Sequence, residues 1–232
     1  MSLRKLITFA TKGISNPNGL TRSFSLHKLS DEHLMLQKTC RDFAETELKP
    51  IAAELDKNHK FPAEQIKKMG ELGLLAINVP EKIWRLWARF FSISGSRRRI
   101  GQGMWRHWYY RISPQLFIQR CGTEEQKEKF LRPFTNGTLG CFALSEPDAG
   151  SDVGGISTTA VLNGDCYVLN GTKSWVTSAI EGKAAIVFAS IDRSLKHKGI
   201  SGFIVPLPSP GLSLEDVRIP KENLLGTVGG GF

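Results

Sequence analysis

The chain has 232 residues, 41% of them hydrophobic, and a formal net charge of +9; this is enough to bury a core in one or two domains and excludes a peptide or fibrous protein. No apolar run approaches the roughly 20 residues a membrane-spanning helix needs, and Cys40, Cys121, Cys141 and Cys166 are spaced like reduced packing residues rather than a zinc site or disulfide scaffold, so no metal is expected. The charge is local: residues 1–30 hold five basic residues and 83–120 hold eight arginines, neither with an acid, and removing these thirteen from +9 leaves the rest at −4.

Residues 1–30 combine Arg4, Lys5, Lys12, Arg22 and Lys28 with five serines and the apolar Leu3, Leu6, Ile7 and Phe9. That is the composition of a mitochondrial transit peptide, with Leu6, Ile7, Ala10 and Ile14 opposing Arg4, Lys5 and Lys12 on an amphipathic helix. No long apolar core follows the charges, which disfavours a secretory signal.

From residue 31 the pattern is helical. Leu36, Cys40, Phe43, Leu48, Ile51 and Leu55 recur at three- and four-residue steps, and Pro50 should kink or split the helix. Pro62 opens a short helix carrying Ile66 and Met69, with Gly70 and Gly73 near its end. Thr123 with Gln126 forms a capping box for a helix running towards Pro133. Beyond Gly140 the chain turns to strands, at 141–144, 156–162, 166–169, 184–191 and 202–205, with Asn163-Gly164 and Asn170-Gly171 as hairpin turns. The expected organisation is α+β: a helical domain over 31–138, then an antiparallel, barrel-like domain over 139–232.

The chemistry-bearing stretch is Cys141-Phe-Ala-Leu-Ser-Glu-Pro-Asp-Ala-Gly-Ser-Asp152, followed by Asn170-Gly-Thr-Lys-Ser-Trp-Val-Thr177. The first is a strand leaving into a turn, with the Ser145 and Ser151 hydroxyls and backbone amides suited to the polar edge of a heteroaromatic ring or a phosphate. The second sets an indole beside the Thr177 hydroxyl, able to pack against and hydrogen-bond a flavin. Taken alone, Trp175 reads more readily as a core residue.

Together, in this order and spacing, the two stretches resemble the middle domain of the acyl-CoA dehydrogenase family, the short-chain branch most of all. Asp192 to Pro206 and Pro220-Lys-Glu-Asn-Leu-Leu-Gly226 extend the likeness. The resemblance implies FAD as cofactor, with Phe142, Ala143, Leu144 and Ser145 along its ring and Trp175 and Val176 packed against it. Thr177 would hydrogen-bond N5, and Ser151 would touch both flavin and acyl-CoA. Asp148 stands where the family often has glycine.

The implied reaction is α,β-dehydrogenation of short-chain acyl-CoA in fatty-acid β-oxidation, in the mitochondrial matrix, with electrons passed to an electron-transfer flavoprotein. The family's base is a carboxylate of a carboxy-terminal helical domain, which would begin after Gly231-Phe232. The sequence is thus expected to lack that domain and the base, to hold flavin weakly and not to turn over. The family's homotetramer is replaced by an expected monomer or aggregate.

Two places depart from the family. Residues 83–118 carry four of the five tryptophans and no acid. They are read either as a basic, aromatic insert for nucleic acid or, by preference, as a displaced reading frame. One extra base after the codon for Lys82 allows Ile83 to Phe90 to be recoded as Tyr-Gly-Gly-Ser-Gly-Leu-Asp-Phe, which resembles the family, so no nucleic-acid partner is expected. Their aromatic residues should then be poorly packed. Between Leu214 and Glu215 the family has about twenty further residues, including a strand whose loss should leave an unpaired edge.

Overall fold

The computed structural model describes residues 31–75, 79, 114–207 and 213–231. The transit-peptide reading of 1–30 and most of the anomalous stretch, including all four of its tryptophans, lie outside them.

Helix α1 (Asp31–Phe43) widens into a π turn over Ala44–Leu48, where the Lys49 N–H reaches the Ala44 carbonyl. A break at Pro50, which cannot donate to that ladder, separates it from α2 (Ala52–Lys57). Helix α3 (Ala63–Glu71) begins behind Pro62 and ends in a turn through Gly73 at φ +70. Its buried Ile66 and Met69 join Cys40, Phe43, Leu74, Leu75 and Leu139 in one core cluster.

Helix α4, over 114–121, corrects the sequence reading, which assigned residues through 118 to the anomalous stretch. Ile118 is fully buried, the Gln115 side-chain amide donates to the Phe134 carbonyl, and Phe117 stands edge-on to Phe142 and Phe188. Residues 114–118 belong to the fold because their side chains fill its core.

The capping box at Thr123 forms, and Gln126 also donates to the carbonyls of Glu222 and Leu224, tying this helix to the end of the sheet. The helix runs towards Pro133, as expected, and ends just beyond it at Thr135. It passes from Glu124–Gln126 through a π stretch, Lys127–Leu131, into Arg132–Thr135, where proline sits at the first positions and needs no intrahelical N–H partner.

Among the described residues the β-domain holds seven strands: β1 (Gly140–Ala143), β2 (Thr159–Asn163), β3 (Cys166–Thr172), β4 (Ala184–Ser190), β5 (Ile200–Pro206), β6 (Ser213–Pro220) and β7 (Leu224–Leu225). Their order is β6-β3-β2-β4-β5-β7, with β1 alongside β4. The helical region followed by a mainly β domain is as expected, but the sheet is open rather than barrel-like. It is also mixed: β1 and β2 both run parallel to β4, β1 along residues 184–187 and β2 at Ser190.

β4 is buried along its whole length, as a central strand covered on both faces must be. Ala184, Ile186 and Phe188 face the helices. Ala185, Val187 and Ala189 face the other way, into a second cluster with Tyr167, Leu169, Phe203 and Ile219, so the sheet curls over itself.

One local reading changes. Asn163-Gly164 makes the β2–β3 hairpin, with Gly164 at φ +62, but Asn170-Gly171 is no turn. β3 runs through it with a register shift, and a Cβ at Gly171 would fall 2.4 Å from the Thr158 hydroxyl, so that glycine admits a close approach of backbone. At the junction of Leu214 and Glu215, where further family residues were expected to be missing, a single strand, β6, runs through and pairs with β3. The junction is marked by Asp216 at φ +48, its backbone N–H held by the Asn170 side chain.

Candidate functional site

β1 sends alternate side chains to opposite faces. Cys141 and Ala143 point into the sheet's inner cluster, while Phe142 and Leu144 point, half-buried, towards the helices. The Phe142 ring lies 4.9 Å from that of Phe188. Ala143 is fully buried, so it has only backbone to offer a ligand. Among the described residues β1 pairs with β4 alone, which leaves the backbone groups of its other edge unpaired by any strand.

After β1 the chain makes a tight turn in which Glu146 and Ala149 exchange backbone hydrogen bonds. Asp148 sits exposed at its tip and is not among the residues with positive φ, so its position demands no glycine. Ser151 is exposed beyond the turn, and Asp152 caps the short helix Val153–Gly155.

The second segment leaves β3 at Thr172. Trp175 is 94% exposed and sits at φ +59, with Ser178 at φ +61. The reading of Trp175 as a core residue fails, because the left-handed backbone turns the indole outward. Val176 and Ala179 pack against the inner cluster, and Ile180 is 74% exposed, so the loop buries one set of side chains and presents another. Thr177 is partly exposed beside the indole.

The two segments meet at a buried ion pair. The Lys173 ammonium lies 2.7 Å from a Glu146 carboxylate oxygen, with side chains 0% and 2% exposed, and also donates to the Leu144 carbonyl at 3.1 Å. Ser157 donates to the other Glu146 oxygen from its backbone N–H and its hydroxyl, both at 2.6 Å, and the Thr158 N–H donates at 3.0 Å to the oxygen that faces Lys173. The Ser174 N–H adds a bond to the Ser145 carbonyl at 2.8 Å. Burial alone would push the Glu146 pKa up, but the hydrogen bonds from Lys173, Ser157 and Thr158 outweigh it and hold the carboxyl down at about 2. The burial cost appears at Lys173, whose pKa is lowered by desolvation despite the opposing carboxylate.

Glu146 and Lys173 were within reach of sequence reasoning but were not assigned a role. The signal was a charged residue inside each motif, flanked by residues that must turn. Burial suppresses thiolate formation at Cys40 and Cys141, whose pKa values are pushed up to about 11 and about 12, so neither suits nucleophilic chemistry. Among the described residues no group of His, Cys, Asp and Glu is arranged to hold a metal, and no helix is long and apolar enough to cross a membrane.

Family models match the chain twice: the acyl-CoA dehydrogenase N-terminal domain over residues 30–138 and the acyl-CoA dehydrogenase middle domain over 141–221. The mitochondrial short-chain specific acyl-CoA dehydrogenase of Rattus norvegicus is 48% identical over 229 residues, covering 88% of this chain and 56% of the relative. The butyryl-CoA dehydrogenase structure from Megasphaera elsdenii superposes with a TM-score of 0.80 at 30% identity, over 88% of this chain and 61% of that one. An acyl-CoA dehydrogenase complexed with FAD from Bacillus anthracis gives 0.75 at 35% identity, over 90% of this chain and 39% of that one. The chain thus spans little more than half the length of the curated relative. With both domain models matched in order and the relatives agreeing over nearly the whole chain, this protein belongs to the acyl-CoA dehydrogenase family.

Proposed function

We propose that this chain supplies the flavin-facing part of a short-chain acyl-CoA dehydrogenase. The observation that carries the reading is Trp175: an indole 94% exposed on a left-handed turn, two residues from the Thr177 hydroxyl and one from Ser174, whose N–H is bonded to the Ser145 carbonyl just beyond β1. A large exposed aromatic held in this way is suited to pack against a ligand or partner surface. The donor set fits FAD. Trp175 and Val176 offer apolar contact to the ring, Thr177 a hydroxyl to its N5, and Ser145 with the β1 backbone of Phe142, Ala143 and Leu144 polar contacts to its edge. Ser151, which is exposed, would touch both the flavin and the CoA ester.

FAD, when bound, accepts the hydride that leaves the β-carbon of the acyl chain. The residues described here orient the ring and exclude water from one of its faces. They do not take the α-proton: Glu146, the carboxylate inside the motif, is buried, paired with Lys173 and held ionised by three further hydrogen bonds. That carboxylate is a structural anchor rather than the base. In cells the reading places the protein in the mitochondrial matrix, acting on short-chain acyl-CoA and passing electrons to an electron-transfer flavoprotein.

The test is a titration of the purified chain with FAD, followed by anaerobic addition of butyryl-CoA. Flavin fluorescence should change saturably in the wild type and much less in Trp175→Asn. Bleaching by butyryl-CoA should be absent if Glu146 is the only carboxylate near the flavin, since a positioned base is worth about a hundred- to ten-thousand-fold and Glu146 is committed to Lys173. Failure of FAD to bind at any concentration would reject the flavin reading for this chain, and bleaching at an ordinary enzymatic rate would reject the account of the base.

A further inference from the structure

Three direct links join residues 144–146 to residues 173–174: Lys173 to Glu146, Lys173 to the Leu144 carbonyl, and the Ser174 N–H to the Ser145 carbonyl. Glu146 adds a third segment by accepting from Ser157 and Thr158 just before β2. Glu146 is one residue from Ser145, and Lys173 is two from Trp175. We propose that Lys173 and Glu146 are positioning residues for the flavin site: their buried pair fixes the spacing and angle between Phe142–Ser145 and Trp175–Thr177. The inference rests on the flavin reading above.

A buried ion pair is a poor device for stability alone, because desolvation offsets most of its attraction. Its advantage over apolar packing is direction. Hydrogen bonds of fixed length to a carbonyl and a carboxylate allow one arrangement, whereas apolar side chains allow many. The segment it anchors is strained, with two non-glycine residues at positive φ, Trp175 and Ser178. The far end of that segment is also tied: the Cys141 thiol donates to the Ser178 carbonyl at 2.9 Å, and the Lys183 N–H donates to the Leu139 carbonyl at 2.9 Å. Strain between two anchors gives the exposed indole one orientation, and releasing either anchor lets the turn relax.

The experiment uses the full chain labelled with 5-fluorotryptophan, the Trp175 resonance being assigned by its loss in Trp175→Phe. Fluorine spectra without FAD, FAD titrations and thermal unfolding are compared for the wild type, Lys173→Met, Lys173→Arg and Glu146→Gln. Lys173→Met and Glu146→Gln should shift or broaden the Trp175 resonance before any ligand is added. They should also weaken FAD binding at least about tenfold well below their own unfolding temperatures. Lys173→Arg should recover part of both. An unchanged resonance and affinity in folded Lys173→Met overturns the proposal, as does an affinity loss that vanishes at matched fraction folded. If the wild type binds no FAD, the flavin reading falls, while the resonance still decides whether the pair positions Trp175. If Lys173→Met does not fold, Lys173→Arg and Glu146→Asp, which keep the charges but change their reach, decide it by the same readouts.

Discussion

Replacing Trp175 separates folding from binding. The side chain is 94% exposed, so it buries only about 15 Å² of the roughly 250 Å² a tryptophan can bury, worth about 0.4 kcal/mol at 25 cal/mol per Å². Against that small loss stands its left-handed backbone, φ +59, which costs an ordinary side chain about 1 kcal/mol and asparagine less. Trp175→Asn should therefore leave folding stability within about 1 kcal/mol of wild type, with a slight gain the expected sign. Binding should respond differently. If the flavin covers half the indole, about 125 Å² and about 3 kcal/mol are lost, roughly a hundredfold in Kd. Urea unfolding followed by circular dichroism gives the first quantity and an FAD titration the second. A stability loss of about 3 kcal/mol with affinity unchanged would show that Trp175 is a packing residue and refute the reasoning.

Three further outcomes follow from the same geometry. Because Glu146 titrates near 2 in the folded chain against an ordinary 4.5, its stabilising contribution should be complete above about pH 4.5 and lost as pH falls towards 2; acid unfolding of Glu146→Gln should lack that component. Cys40 and Cys141 should resist labelling by a thiol reagent at pH 8 until the chain unfolds, since burial keeps both protonated. Gly140→Ala should cost about 1–3 kcal/mol in urea unfolding, because the new methyl would lie 2.7 Å from the ring of Phe134, which is buried and cannot yield.

What the sequence made legible was chemistry whose partners lie close along the chain. The Thr123–Gln126 box, the break at Pro50 and the Asn163-Gly164 hairpin are each settled within a few residues, and each formed. Asn170-Gly171 carries the same local signal and misled, because Asp216 and Thr158, far away in sequence, capture that asparagine and that glycine. The mixed character of the sheet was hidden for the same reason, since parallel pairing of β1 with β4 leaves no mark at a turn. At the candidate site the motifs identified the segments, but only the fold shows Trp175 facing outward, Ala143 facing inward and Glu146 committed to Lys173.

The hairpin of β2 and β3 also sets a timetable. Asn163 and Cys166 lie three residues apart, so the two strands can zip within microseconds of emerging from a ribosome. β6, the neighbour on β3's other side, is complete only when Pro220 has been made, roughly 3–10 s later at about 5–20 residues per second. Throughout that interval β3 offers a bare row of amides and carbonyls to any other nascent chain. The register shift of the finished ladder belongs to β6, where three steps from Leu214 to Val217 face two from Gly171 to Leu169 and Asp216 sits at φ +48, so it gives the bare edge of β3 no protection until β6 itself has paired. Prompt arrival of β6 is therefore what shields that edge.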